Sequence, residues 1–185
     1  MELEIKRGIF HLFLSLVLIL ITYIIGRSYS LILFTLVLIV GLILVRISMY
    51  KEVPILKWFI KHFDREEFVP GKGSFAYLLG ATLVLAILPL NIAFASILFL
   101  GFADSIAKMV GRNAKIRYFH SQKSLEGTLI GGLVGVIASS YFIGILPSLF
   151  AGIIAMFIES FDHPYHLDDN WIVPLIFGLV SYLVI

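Results

Sequence analysis

At 185 residues, with 60% hydrophobic residues, 14% charged residues and a net charge of +2, the chain lies outside the composition of soluble domains. Its mean hydropathy is +1.03. Apolar runs approach the ~20 residues that span a membrane as helix, and no ten-residue apolar–polar alternation is present, which excludes a membrane barrel and predicts an all-α polytopic bundle. The absence of cysteine excludes disulfides, thiolate metal sites and a cysteine nucleophile.

The opening MELEIKRGIFHLFLSLVLILITYIIG has the charged start of a signal peptide, but its apolar run is long and lacks a small-residue cleavage site. It is predicted to be a retained first span. Seven spans are predicted in a single membrane domain covering 1–185, at roughly residues 8 to 25, 29 to 49, 74 to 90, 91 to 110, 127 to 146, 148 to 161 and 171 to 185. Pro89-Leu90-Asn91 and Pro147-Ser148 are predicted tight turns between spans three and four and between spans five and six.

With the N-terminus in the cytoplasm, Lys6, Arg7, Arg46, Lys51, Lys57, Lys61, Arg65, Lys72, Lys108, Arg112, Lys115, Arg117 and Lys123 fall on the inner side. Arg27 alone lies outside. The acidic residues gather on the same side, which topology does not require, so any chemistry is expected at the cytoplasmic face. Within about 50–73, Val53, Leu56, Phe59, Ile60 and Phe63 alternate with lysines. That spacing fits an amphipathic helix in the membrane interface, or a cytoplasmic helix capping the bundle.

Polar constellations interrupt this apolar frame. PGKGSFAYLLG brings Gly71 and Gly73 to the start of span three, where they mark a turn or a close backbone approach and Ser74 could cap the helix. In LGFADSIAKMVGRNAK, Asp104, Lys108 and Gly111 share one helix face. A carboxylate inside an apolar span is either a functional group or half of a neutralised pair with Lys108. The following loop, about 104–127 with its flanks, carries Arg112, Lys115, Arg117, His120 and Lys123, then Ser124, Glu126 and Gly127 in KSLEGT.

Ser124 with Gly127 resembles a helix entrance whose backbone N–H groups favour an anion; the same residues would serve as an ordinary cap on a basic loop. Gly127, Gly131 and Gly135 recur at helical spacing and predict a close-packed face. Finally, Glu159 ends span six, and Asp162, His163, His166, Asp168, Asp169 and Asn170 precede Trp171, within a second loop at about 159–171. Their carboxylate and amide oxygens suit Mg²⁺, although the two histidines would also suit a transition metal.

EIKRGIFH, PGKGSFAYLLG, GFADSIAKMVGRNAK through KSLEGT, and ESFDHPYHLDDNWIVPL together, in this order, resemble the polyprenol kinase family, which includes dolichol and phytol kinases and is related in fold to phosphatidate cytidylyltransferase. The chain departs from the family pattern at Arg7-Gly8, where a further basic residue is common, and at Ala103-Asp104, where Gly-Asp is common. The resemblance implies a CTP-dependent kinase acting with a divalent cation, Mg²⁺, on the terminal hydroxyl of a long isoprenoid alcohol. The chain is expected to be a multi-pass protein of a prokaryotic cell membrane with no nucleic-acid partner; its oligomeric state is left open, a homodimer included.

Residue pattern and resemblance together assign Asp104, Lys123 and Glu126 to catalysis. Lys108, Arg112, Lys123, Ser124 and Gly127 are assigned to nucleotide and phosphate, and Asp104, Glu159, Asp169 and Asn170 to metal. Lys6, Arg7, His11, Gly71 and Gly73 occupy further motif positions. Glu126 could orient a cation, pair with a basic residue or act as base. Two other readings are a cytidylyltransferase acting on a lipid phosphate and a non-catalytic transporter or scaffold.

Overall fold

The computed structural model describes residues 2–48, 50–54, 57–58, 62, 71–118, 123–161 and 168–185. These form seven helices: α1 (Glu2–Ile25), α2 (Arg27–Ser48), α3 (Lys72–Ile87), α4 (Leu90–Gly111), α5 (Leu125–Ile143), α6 (Ile145–Glu159) and α7 (Asp169–Val184). No strand occurs among the described residues beyond an isolated antiparallel bridge between Arg117 and Ser124. Four helices, α1, α2, α4 and α5, are long and apolar enough to cross a membrane, whereas α3, α6 and α7 are shorter apolar helices. The predicted interfacial helix at about 50–73 falls largely outside the described residues, as do His120, Asp162, His163 and His166.

Consecutive helices run up and down because their connections at one end are too short for anything else. Gly26 joins α1 to α2 and Gly144 joins α5 to α6, each at a φ of 82° that side-chain-bearing residues rarely adopt. Leu88 and Pro89 join α3 to α4, with Leu88 extended and Pro89 at the N-cap, as the proline in the sequence suggested. The second predicted turn is corrected: α6 begins at Ile145, so Pro147 and Ser148 lie inside its first turn. A proline is tolerated there because the first N–H groups of a helix have no intrahelical acceptor, while the reversal itself needs the positive φ of Gly144.

α4 is the axis of the bundle, packed against α1, α3, α5 and α7. Its Ala93, Ala95, Ile97, Phe99 and Ala103 belong to one core cluster with Tyr77, Val84 and Leu85 of α3, Val136 of α5, Ala151 and Ala155 of α6, and Phe177 of α7. Phe99 and Phe177 stack with centroids 4.3 Å apart. The glycine face of α5 meets α4 as its spacing predicted. A Cβ at Gly127 would lie 2.7 Å from Ala107 O, and one at Gly135 would lie 2.9 Å from the Phe99 ring. Any side chain there would force the two helices apart. α2 lies outermost, most of its surface left for lipid.

The topology gathers charge at one end. Among the described residues, the starts of α1, α3, α5 and α7 and the ends of α2, α4 and α6 carry the Asp, Glu, Lys and Arg side chains, while Arg27 alone sits at the other end. There its Nη2 donates to Ala86 O at 2.6 Å, occupying a carbonyl at the C-terminus of α3.

Candidate active site

Asp104 occupies the last two turns of α4, and two donors from different helices meet on one of its oxygens. Lys108 Nζ, one helical turn on, donates to Oδ2 at 2.7 Å. His11 Nδ1, from α1 and 93 residues away in sequence, lies 3.0 Å from the same Oδ2. A carboxylate only accepts, so Nδ1 carries the proton. The neutralised pair foreseen for Asp104 and Lys108 is therefore present, but it is part of a three-membered set.

His11 is buried, and its ring lies against that of Tyr77 with centroids 4.8 Å apart. Tyr77 is itself fully buried, and its hydroxyl has no hydrogen-bond partner among the described residues. Beside this set, the single proton of Ser105 Oγ is shared between Gly8 O at 2.5 Å and Gly101 O of its own helix at 2.6 Å, tying α1 to α4 where a Cβ on Gly8 would already stand 3.3 Å from Ser105 Cα.

The loop after α4 doubles back on itself. Tyr118 N donates to Lys123 O at 3.1 Å and Leu125 N to Ile116 O at 3.0 Å, around the Arg117–Ser124 bridge. Glu126 closes the turn: its Oε1 accepts from Lys115 N at 2.8 Å and from Ile116 N at 3.2 Å. Glu126 thus holds backbone amides of the loop. Ser124 caps α5 by accepting from Gly127 N at 3.1 Å, as its position predicted. Its oxygen is thus engaged, and Gly127 is buried against α4. Arg112 is exposed at the C-cap of α4.

This hairpin delivers Lys123 to the junction of α6 and α7. Lys123 Nζ donates to Asp169 Oδ2 at 2.7 Å and to Phe161 O at 3.2 Å. It also donates to Glu159 O, and stands 3.7 Å from Glu159 Oε1. Carboxylates at the end of α6 and the start of α7 thus converge on one cation, and Glu159 further senses the charges of Asp104 and Lys108. The Asp104 and Lys123 groups lie at the same end of the bundle. Glu159 Oε2 is buried without a hydrogen-bond partner.

α7 starts where the site needs it because Asp168 caps it, accepting from Asn170 N at 3.0 Å. Burial pushes the Asp168 carboxyl above its ordinary range and Asp169 beside it adds to the push, while the Asn170 N–H opposes both. Asn170 Nδ2 donates to Gly73 O at 3.3 Å, tying α7 to the start of α3. Gly71 adopts φ 78° as the N-cap of α3, so Ser74 lies inside the first turn rather than at the cap position. In α1, Lys6 is exposed, while Arg7 is buried and its Nη1 reaches both Glu4 oxygens at 3.2 Å.

Among the described residues, no three His, Cys, Asp or Glu side chains are arranged as a metal site. The carboxylates of Asp104, Glu159 and Asp169 interact electrostatically, yet Asp104 and Asp169 are occupied by cationic side chains. Sequence reasoning singled out His11 only as a motif position and passed over Tyr77 and Ser105. Polar residues facing inward from an apolar run were the available signal.

Comparison with known proteins gives two relatives. The "CTP-dependent diacylglycerol kinase 1" of Schizosaccharomyces pombe is 29% identical over 134 residues, covering 60% of this chain and 60% of the yeast protein. An uncharacterized protein of Methanocaldococcus jannaschii is 25% identical over 178 residues, covering 96% of this chain and 92% of that one. The chain thus spans about 60% of the length of the yeast relative. No family model matches the chain. No solved structure matches it either.

Proposed function

We propose that the chain is a CTP-dependent kinase that phosphorylates the terminal hydroxyl of a long isoprenoid alcohol at the cytoplasmic face of a membrane. The observation that carries this reading is the convergence of Asp104, Lys108, Lys123, Glu159 and Asp169 at one end of an otherwise apolar helical bundle. A water-soluble triphosphate and a lipid hydroxyl can meet only at such a boundary. The yeast relative, whose name records CTP as donor and a lipid alcohol as acceptor, supports the reaction class. The series of motifs from EIKRGIFH to ESFDHPYHLDDNW favours an isoprenoid acceptor.

In this reaction the alcohol oxygen attacks the γ-phosphorus, the bond to the β,γ-bridging oxygen breaks, CDP leaves, and the hydroxyl proton passes to a base. Phosphoryl transfer asks a protein mainly for positioning and charge neutralisation. Lys123 is the cation best placed to receive phosphate oxygens, exchanging Asp169 for them, with Arg112 as the exposed cation nearby in sequence. Glu126 acts indirectly by holding the hairpin that presents Lys123.

Asp104, Glu159 and Asp169 offer the hard oxygens Mg²⁺ prefers, and the buried, unpartnered Glu159 Oε2 fits that use. Asn170 would join through its oxygen, since its nitrogen is bonded to Gly73. Bound there, Mg²⁺ would supply charge screening for the triphosphate.

A second reading, diacylglycerol as acceptor, is favoured by the name of the yeast relative. Both are tested by incubating the purified protein and Mg²⁺ with CTP labelled on either the α- or the γ-phosphate, against polyprenols, diacylglycerol and phosphatidate. Transfer of γ-label to a polyprenol with release of CDP is expected. Preferential labelling of diacylglycerol would select the second reading. Transfer of α-label with release of pyrophosphate would replace both with a cytidylyltransferase.

A further inference from the structure

Asp104 is bonded asymmetrically. Oδ2 takes both donors, His11 Nδ1 and Lys108 Nζ, while Oδ1 has no hydrogen-bond partner among the described residues and is not enclosed. A carboxylate on a two-bond stem rotates freely about its last bond unless something holds it, and Lys108 sits on a flexible four-carbon stem. His11 does not share that freedom. Its side chain is 1% exposed, its ring rests on Tyr77, and the helix that carries it is pinned to α4 by Ser105 on Gly8 O.

We infer that His11 is a positioning residue: it clamps Asp104 Oδ2 from the neighbouring helix, so that Oδ1 points to the space where phosphate and hydroxyl meet. The inference rests on the kinase reading for its consequence and on the hydrogen bond for its geometry. A buried imidazole could instead serve packing alone, as one more ring in the α1–α3–α4 core. In that case only its shape would matter. If it positions Asp104, the donor at Nδ1 matters and the ring is dispensable.

Two substitutions separate these roles. His11→Phe keeps a ring against Tyr77 and removes the donor; His11→Asn removes the ring but places an amide N–H where Nδ1 stands. Positioning predicts that His11→Phe lowers kcat by about 30-fold or more, with KM for CTP changed less than about 3-fold, since the loss falls on alignment in the transition state. His11→Asn should recover kcat to within about 5-fold of wild type. Equal losses in the two variants, a better-preserved His11→Phe, or a loss confined to KM would overturn the inference.

A second measurement does not depend on turnover. In ¹⁵N-labelled protein, the His11 ring resonances, assigned by their disappearance in His11→Asn, should show a protonated, carboxylate-bonded Nδ1 that is lost in Asp104→Ala. No change in Asp104→Ala would refute the clamp itself. A wild-type protein that shows this signature yet phosphorylates no lipid alcohol would refute the kinase reading while leaving the clamp standing.

Discussion

The two ends of the bundle are built by different means. At the bare end, one or two residues close each connection: Gly26, Leu88-Pro89 and Gly144. Those turns need only backbone geometry and hold the helices by covalent bonds. At the charged end the ties are side chains reaching across the chain: His11 to Asp104 over 93 residues, Lys123 to Asp169 over 46 and Asn170 to Gly73 over 97. The difference teaches that the bare end sets the scaffold, whereas the charged end is assembled on it from side chains that meet only in the folded chain. Substitutions at the bare end should change stability without changing chemistry, whereas those at the charged end should change chemistry or the balance of charge there.

The sharpest contrast is at Asp104. Asp104→Asn keeps the size of the side chain and should cost about 100-fold or more in turnover, the scale of removing a charge that acts in a transition state. Its thermal midpoint in detergent should stay close to wild type; a folded variant with unimpaired turnover would dissociate the charged end from chemistry.

Next is Gly131→Leu, which forces a side chain between α5 and α4 where a Cβ would stand 2.8 Å from Ala107 Cβ. Overpacking should destabilise by about 1–3 kcal/mol and lower activity with it, because Ala103 and Ala107 flank Asp104. Lys123→Ala leaves the Asp169 and Glu159 carboxylates without their shared cation. A loss of about 1–3 kcal/mol is expected, read as a lower midpoint. Combining it with Asp169→Asn should restore part of the midpoint but not the turnover; a double variant no more stable than the single would show that the cation does not balance these carboxylates.

At the bare end, Gly144→Ala should cost about 1 kcal/mol through its positive φ, with kcat unchanged. The smallest effect is expected at Asp168. Asp168→Asn keeps the cap on α7 and relieves a buried charge, so its midpoint should match or slightly exceed wild type, whereas Asp168→Ala should lose about 1 kcal/mol.

The seven helices were legible because each is an apolar run bounded by glycine, proline or charge. The glycines of α5 were legible because helical spacing alone places them on one face. The turn at Gly144 was obscured by Pro147, a stronger breaker by residue type but harmless in a first helical turn. The site was legible as a set of residues rather than as an arrangement. Asp104 was visible as a carboxylate in an apolar span, and Ser124 as a cap. That His11 would join Asp104, that Lys123 would be held by Asp169, and that Glu126 would hold the amides of Lys115 and Ile116 are properties of tertiary approach. No local pattern encodes them.

The unequal helix lengths place the site in depth. α3, α6 and α7 have 16, 15 and 16 residues, or about 24 Å of helix, against the ~30 Å of a bilayer's hydrocarbon core; α1 and α2, with 24 and 22 residues, exceed it. Tight turns join α3 to α4 and α5 to α6 at the bare end, so within each of these pairs the shorter helix falls short at the other. In a bilayer, Glu159, Asp169 and the lysine between them would then lie several ångströms below the headgroup plane, in a dimple of the membrane surface.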